Sequence, residues 1–135
     1  MASGIVAAVA IFGSTFLGNR VAKPMKAASD AATAYAATIR TGDYTAAFDQ
    51  QCAKLRTSSS PEQLAATAVK ERNDIGEVTT FKVREAHVSG DVAVLGYRIE
   101  TTVQGRIDGT ARMAKEGDAW KWCGAQRAKA AGPTS

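Results

Sequence analysis

Residues 92–103 read VAVLGYRIETTV. Ala93, Leu95, Tyr97, Ile99, Thr101 and Val103 fall at every second position, the period of a β-strand with one buried face. The run before it, residues 77–88 (EVTTFKVREAHV), and the two after it are also β-type, and three Gly-containing turns separate the four. Consecutive strands joined by short turns pair antiparallel, so a four-stranded meander is expected. Turn length sets its register. A three-residue loop Gln104-Gly105-Arg106 puts Tyr97 opposite Met113 and Ile99 opposite Ala111. A two-residue Glu116-Gly117 turn then puts Met113 opposite Trp120 and Ala111 opposite Trp122, giving a core row of Tyr97, Met113 and Trp120.

The other face carries Arg98, Glu100, Arg106, Asp108 and Arg112, which is the pattern of a solvated sheet surface. The first strand allows two registers. A three-residue Ser89-Gly90-Asp91 loop suits Phe81 and Val83 and turns Glu85 and His87 inward; a two-residue turn suits Ala86 and Val88 and turns them out. A bulge near Arg84 satisfies both apolar pairs and leaves Glu85 and His87 in water. An unpaired inward glutamate would cost several kcal/mol or shift its pKa, so the outward reading is preferred.

Upstream of the strands the period is helical. Ala28, Ala32, Tyr35 and Ile39 mark one face of a helix over 27–41, and Gly42 ends it. Asp43 is placed to cap a second helix through Tyr44, Ala47, Phe48 and Cys52, which breaks up at Thr57-Ser58-Ser59. Ser60-Pro61-Glu62-Gln63 is a third helix start, with an N-cap serine, proline at the first position and a capping-box glutamine. That helix turns Leu64, Ala68 and Ile75 inward and stops at Gly76. Helices followed by strands predict an α+β layer structure, with three helices packed on one face of a curved antiparallel meander.

Residues 2–17 (ASGIVAAVAIFGSTFL) carry no charge. As a helix this stretch would span about 24 Å, short of a bilayer core of about 30 Å. It reads as a short signal anchor, a signal-peptide remnant or a buried helix. A buried helix should show a polar stripe, and its absence favours the membrane. Ala8-Val9-Ala10 has the form of a cleavage site but sits mid-run, so an uncleaved anchor is expected over 1–20. A linker over 21–26, a domain over 27–125 and a disordered tail over 126–135 complete the organisation. Arg20, Lys23 and Lys26 follow the apolar run, and the positive-inside rule taken literally puts the domain in the cytoplasm.

The chain has 135 residues, enough for one domain and too few for a two-domain enzyme. Twenty-seven alanines supply helix propensity but little core volume, which leaves packing to the larger apolar side chains. Seventeen Lys and Arg against thirteen Asp and Glu give +4, but the charges are interspersed, which argues against a nucleic-acid surface. Cys52 and Cys123, 71 positions apart and outside any C-x-x-C spacing, are either separate buried thiols or one long-range disulfide. A bridge of that span contributes on the order of 4 kcal/mol and requires an oxidising compartment. The parity of β4 argues against it: Cys123 should point away from the helices that carry Cys52, unless the strand bulges there or the 53–60 loop rounds the sheet edge.

The helix-then-meander order, with TGDYTAAF at 41–48 and GDAWKWCG at 117–124, resembles the nuclear transport factor 2-like superfamily. More narrowly it resembles small actinobacterial envelope proteins with one N-terminal hydrophobic segment, including the Mce-associated membrane proteins. The resemblance implies a cone whose helices and concave sheet enclose an apolar pocket, an extracytoplasmic domain on a single-pass tether, and an accessory or interaction role. The pocket-lining candidates are Tyr35, Tyr97, Met113 and Trp120, with Trp122 beside them, though such residues are more often plain core. Enzymes of the superfamily use a carboxylate or histidine base facing the pocket and tyrosine or acid donors. Glu85 and His87 are the nearest match, and the outward register removes them. His87 is the only histidine, so metal sites and a Ser-His-Asp triad lack partners, and no cofactor is expected. The expected function is a non-catalytic, membrane-tethered binding module of a cell-envelope complex, whose partners are the lipid bilayer, a membrane-protein complex and a small apolar ligand. A small isomerase, dehydratase or cyclase is the alternative.

Overall fold

A computed structural model of the chain describes residues 13–127. Its helices are α1 (Gly13–Thr41), α2 (Tyr44–Asp49), α3 (Ala53–Thr57) and α4 (Pro61–Ile75). Strands β1 (Val78–Ser89), β2 (Val92–Thr101), β3 (Gly105–Glu116) and β4 (Ala119–Arg127) form one sheet in sequence order. All three pairings are antiparallel, so the expected α+β meander is present. Helix α1 lies on the face that carries Ala93, Leu95 and Tyr97, and Ala28 and Ala32 on it are fully buried against the sheet. Their small side chains let the helix approach closely, while Leu95 and Met113 supply volume, each worth about 1.5–3 kcal/mol on burial.

Local signals account for the helix starts. The Asp43 carboxylate accepts from the Ala46 N–H at 3.2 Å, and the Ser60 hydroxyl accepts from the Gln63 N–H at 3.2 Å with Pro61 at the first helical position. Helix α1 is described from Gly13 and is continuous through the expected linker at 21–26, crossing Pro24. That proline forgoes one hydrogen bond to the carbonyl four residues back, and the residues around it are good helix formers. The expected anchor lies outside the described residues up to residue 12. Among the described residues no helix is long and apolar enough to cross a membrane. Strand β4 extends to Arg127, and the rest of the expected tail lies outside the described residues.

The second helix is shorter than its pattern. It stops at Asp49, and residues 50–52 run along the free edge of β4 before α3 begins. The Cys52 N–H donates to the Trp122 carbonyl and the Trp122 N–H to the Gln50 carbonyl, both at 2.8 Å. Edge pairing satisfies backbone groups that a continued helix would have satisfied internally, and it protects one exposed edge of the sheet.

The strand register differs from the turn-length expectation. Tyr97 faces Gly109, Ile99 faces Ile107, and Met113 faces Ala93, four residues from the expected β2–β3 alignment. The connection is Thr102-Val103-Gln104, closed by the Thr101 hydroxyl, which accepts from the Gln104 N–H at 3.1 Å and donates to the Gly105 carbonyl at 2.9 Å. The end of α4 sets it there: the Ile75 carbonyl accepts from the Val103 and Gln104 N–H groups at 3.1 and 3.3 Å. Between β3 and β4 the turn is Gly117-Asp118, so Met113 faces Trp122 and Trp120 faces Lys115. The row of Tyr97, Met113 and Trp120 therefore does not form.

Three register slips correct the parity of the outer strands, the first of them between Val78 and Thr80 at the start of β1. Between Val83 and Glu85 the β1 ladder slips by one residue, so Phe81, Val83, Ala86 and Val88 all pack against the core while Glu85 and His87 are exposed. In β4 the slip falls at Cys123-Gly124, with Gly124 at φ 111°, a conformation that glycine adopts without strain. Four transverse rows result on the inner face. They are Val88-Ala93-Met113-Trp122, Ala86-Leu95-Ala111-Ala125, Val83-Tyr97-Gly109-Arg127, and Phe81-Ile99-Ile107.

Candidate functional site

Between the second half of α1, helix α4 and the far rows of the sheet lies an open cleft of about 780 Å³. Tyr35 reaches it from α1, Leu64 and Ala68 from α4, and Phe81, Tyr97 and Trp122 from the strands. The aromatics are paired. Tyr35 stacks on Trp122 with centroids 4.5 Å apart and planes 14° from parallel. Phe81 stacks on Tyr97 at 5.3 Å and 22°. Tyr97 fits because its row neighbour is glycine: a Cβ on Gly109 would overlap the Tyr97 ring.

Polar groups lie within or beside these walls. The Gln51 amide N–H donates to the Tyr35 hydroxyl at 3.1 Å. Glu71 and Arg127 face each other at 3.6 Å, and Arg72 donates to the Tyr44 hydroxyl at 3.2 Å. Burial pushes the Tyr35 hydroxyl above the ordinary tyrosine pKa, against the opposing hydrogen bond from Gln51. Tyr97 is raised as well, first by burial and then by the charge of Glu71. Both phenols are therefore neutral donors at physiological pH.

The expected lining residues divide. Tyr35 and Tyr97 stand in the cleft wall with Trp122. Met113, fully buried, and Trp120, 8% exposed, lie in the solid core and not among the lining residues. Glu85 and His87 are on the outer face, where the Glu85 side chain drapes over Gly96. Gln51, Glu71 and Arg127 are among the cleft residues that the sequence reading did not name. Glu71 had a signal: Leu64, Ala68, Glu71 and Ile75 step by four, three and four, which puts a carboxylate on an apolar helical face. Arg127 had none, because only the bulge at Cys123-Gly124 turns it inward. Among the described residues no cluster of His, Cys, Asp and Glu could hold a metal ion.

Cys52 and Cys123 are paired as a disulfide, with Cα atoms 5.2 Å apart. The parity objection is met by the bulge in β4, and the segment that reaches the sheet edge is residues 50–52, not the expected 53–60 loop, whose first residues form α3. The strap at residues 50–52 lies beside the edge of β4, and β4 bulges at the cysteine itself.

No family model matches this chain, and no curated protein matches it in sequence. Solved structures do. A protein of Campylobacter jejuni described as an NTF2-like transpeptidase superposes with a TM-score of 0.55 at 16% identity, over 70% of this chain and 94% of its own. The fold is nuclear transport factor 2-like. A SEC-C motif containing protein from Rhodopseudomonas palustris aligns at TM-score 0.51 and 10% identity, over 67% of this chain and 70% of its own. Within the nuclear transport factor 2-like fold of this chain, the aromatic cleft lies on the helix-covered face of the sheet, and the Cys52–Cys123 bridge ties the helical layer to β4.

Proposed function

We propose that this chain is a non-catalytic binding module that takes a small apolar ligand in its aromatic cleft. We further propose that it works on the outer side of a bacterial membrane, tethered by its N-terminal apolar segment as an accessory subunit of an envelope complex. In this it would resemble the Mce-associated proteins of actinobacteria. The observation that carries the binding role is the lining of the cleft. Two stacked aromatic pairs form its walls, and Glu71, which lines it, is exposed and faces Arg127. A water-exposed carboxylate already paired with a cation is engaged as a counter-ion and is not aimed at a ligand as a general base. The disulfide supports an oxidising compartment. The uncharged run at 2–17 supports the tether.

Cell fractionation and ligand binding test the two halves separately. The full chain should stay with membranes through a carbonate wash, and deletion of residues 1–20 should release it. A deletion variant that stays in the membrane fraction would refute the tether. For the cleft, an apolar dye whose fluorescence rises on binding should report one saturable site, which Trp122→Ala weakens. A small-molecule turnover abolished by Glu71→Gln, with the melting temperature unchanged, would favour an isomerase or cyclase in its place.

A further inference from the structure

One polar group in the cleft wall has no structural employment. Gln51 is 6% exposed, and its side-chain carbonyl oxygen has no hydrogen-bond partner among the described residues. Buried acceptors are almost always paired, because burial removes water without replacing its hydrogen bonds. Nor is the residue free to turn away. Cys52, next to it, is held by the disulfide, and both Gln50 and Cys52 are hydrogen-bonded to Trp122. The Gln51 backbone carbonyl accepts from the Arg56 guanidinium, which fixes the strap on its other side.

The same amide donates to the Tyr35 hydroxyl, so that hydroxyl acts as an acceptor there and keeps its own proton to give. Both residues line the cleft, beside the stacked faces of Tyr35 and Trp122. An acceptor that wants a donor therefore stands next to a donor that wants an acceptor. A hydroxyl group supplies both functions from one atom; an ether or ketone supplies only acceptance, and an ammonium only donation. The flat aromatic surroundings favour a flat apolar body behind that hydroxyl, and a charge placed against the buried Gln51 and Tyr35 side chains would lack the water that solvates it.

We infer that Gln51 and Tyr35 form a hydrogen-bonding subsite of the cleft for the hydroxyl of a flat, uncharged aromatic or unsaturated alcohol. The inference rests on the binding role proposed above and names the ligand class of that site. Selectivity arises because an analogue without the hydroxyl proton fills the cleft yet leaves the buried oxygen unpaired, and sites built on hydrogen bonds discriminate strongly against such analogues.

The test compares 2-naphthol with 2-methoxynaphthalene, which accepts but does not donate, by calorimetry and by quenching of tryptophan fluorescence in the purified full chain. Naphthol should bind at least about tenfold more tightly. Gln51→Leu removes the amide and Tyr35→Phe removes only the hydroxyl while keeping the stacked ring. In each the preference should fall to near unity with the methoxy compound still bound. Tyr35→Phe keeps the test valid if the leucine variant folds poorly. Equal affinity in the natural chain, or a preference that survives in both variants, would overturn the subsite and leave the binding role standing. Failure of both probes to bind would overturn the binding role itself, and the subsite with it.

Discussion

The two ends of the inner sheet face are built by the same alternation yet finish differently. At one end Ala28 and Ala32 of α1 press onto Ala93, Leu95 and Met113, all five at most 0% exposed, and Trp120 closes the layer. At the other, α1 presents Tyr35 and the sheet presents Tyr97, Ile99 and Phe81, with α4 standing across them, and a cleft remains. Small helix residues over medium strand residues interlock to a solid. Large rings that stack in pairs fill area without filling volume, so the layers stay apart. The contrast teaches that aromatic content alone does not locate a pocket: Trp120 is as aromatic as Trp122 and lies in the packed end.

Loss of the bridge should strike both ends together, because Cys52 anchors the strap beneath Tyr35 and Cys123 lies in the strand that carries both tryptophans. Cys52→Ser with Cys123→Ser should cost on the order of 4 kcal/mol in denaturant unfolding. Free-thiol titration of the denatured, unreduced natural protein should find no thiol; two thiols would remove the bridge and the argument for an oxidising compartment.

Truncation at the packed end comes next. Met113→Ala should cost about 3 kcal/mol through the cavity it leaves, while dye binding at the cleft, measured well below the melting point, stays as it was. A large fall in dye affinity would mean that the two ends are mechanically one.

Glycines opposite each other in character sharpen the open end. A methyl group at Gly109 meets the Tyr97 ring, so Gly109→Ala should cost about 1–3 kcal/mol and weaken binding as the ring is pushed into the cleft. At Gly96 the nearest atom is the Glu85 Cγ at 2.9 Å, the flexible arm of an exposed side chain, and Gly96→Ala should cost less than about 1 kcal/mol. Equal costs would show that the Tyr97 ring moves aside freely.

The open end should also respond to alkali. Burial raises the hydroxyl pKa of Tyr35 and Tyr97 in the folded state, so the folded protein keeps protons that the unfolded chain releases. Stability from this source is full below the unfolded value near about 10 and falls as pH rises through the folded values. The melting temperature should therefore drop above about pH 10, and less steeply in Tyr35→Phe and Tyr97→Phe. Smallest of all are changes on the outer face. Glu85→Gln and His87→Ala should each move stability by no more than about 0.5 kcal/mol and leave dye binding unaltered.

Much of this was legible in the chain itself. The 3.6 period through Ala28, Ala32 and Tyr35, the Ser60-Pro61 helix start and the alternation along residues 92–99 are local patterns, and local backbone preference carries them into the structure unchanged. So was the bulge at Arg84, because two apolar pairs of opposite parity, Phe81 with Val83 and Ala86 with Val88, both needed the core. Glu71 could have been found from its place among Leu64, Ala68 and Ile75.

What lay beyond the sequence was decided between elements distant along the chain. The end of α4 docks on residues 102–104 and thereby sets the β2–β3 register, which puts Tyr97 in the cleft and Met113 in the core. The edge of β4 draws residues 50–52 out of a helix, brings Cys52 to Cys123 and lays Gln51 beside Tyr35. The physical reason is common to both. A turn or a helix end has several conformations of nearly equal local energy, and a few long-range hydrogen bonds suffice to choose among them, whereas the alternation of a strand or the stripe of a helix is repeated over many residues and no single contact can overrule it.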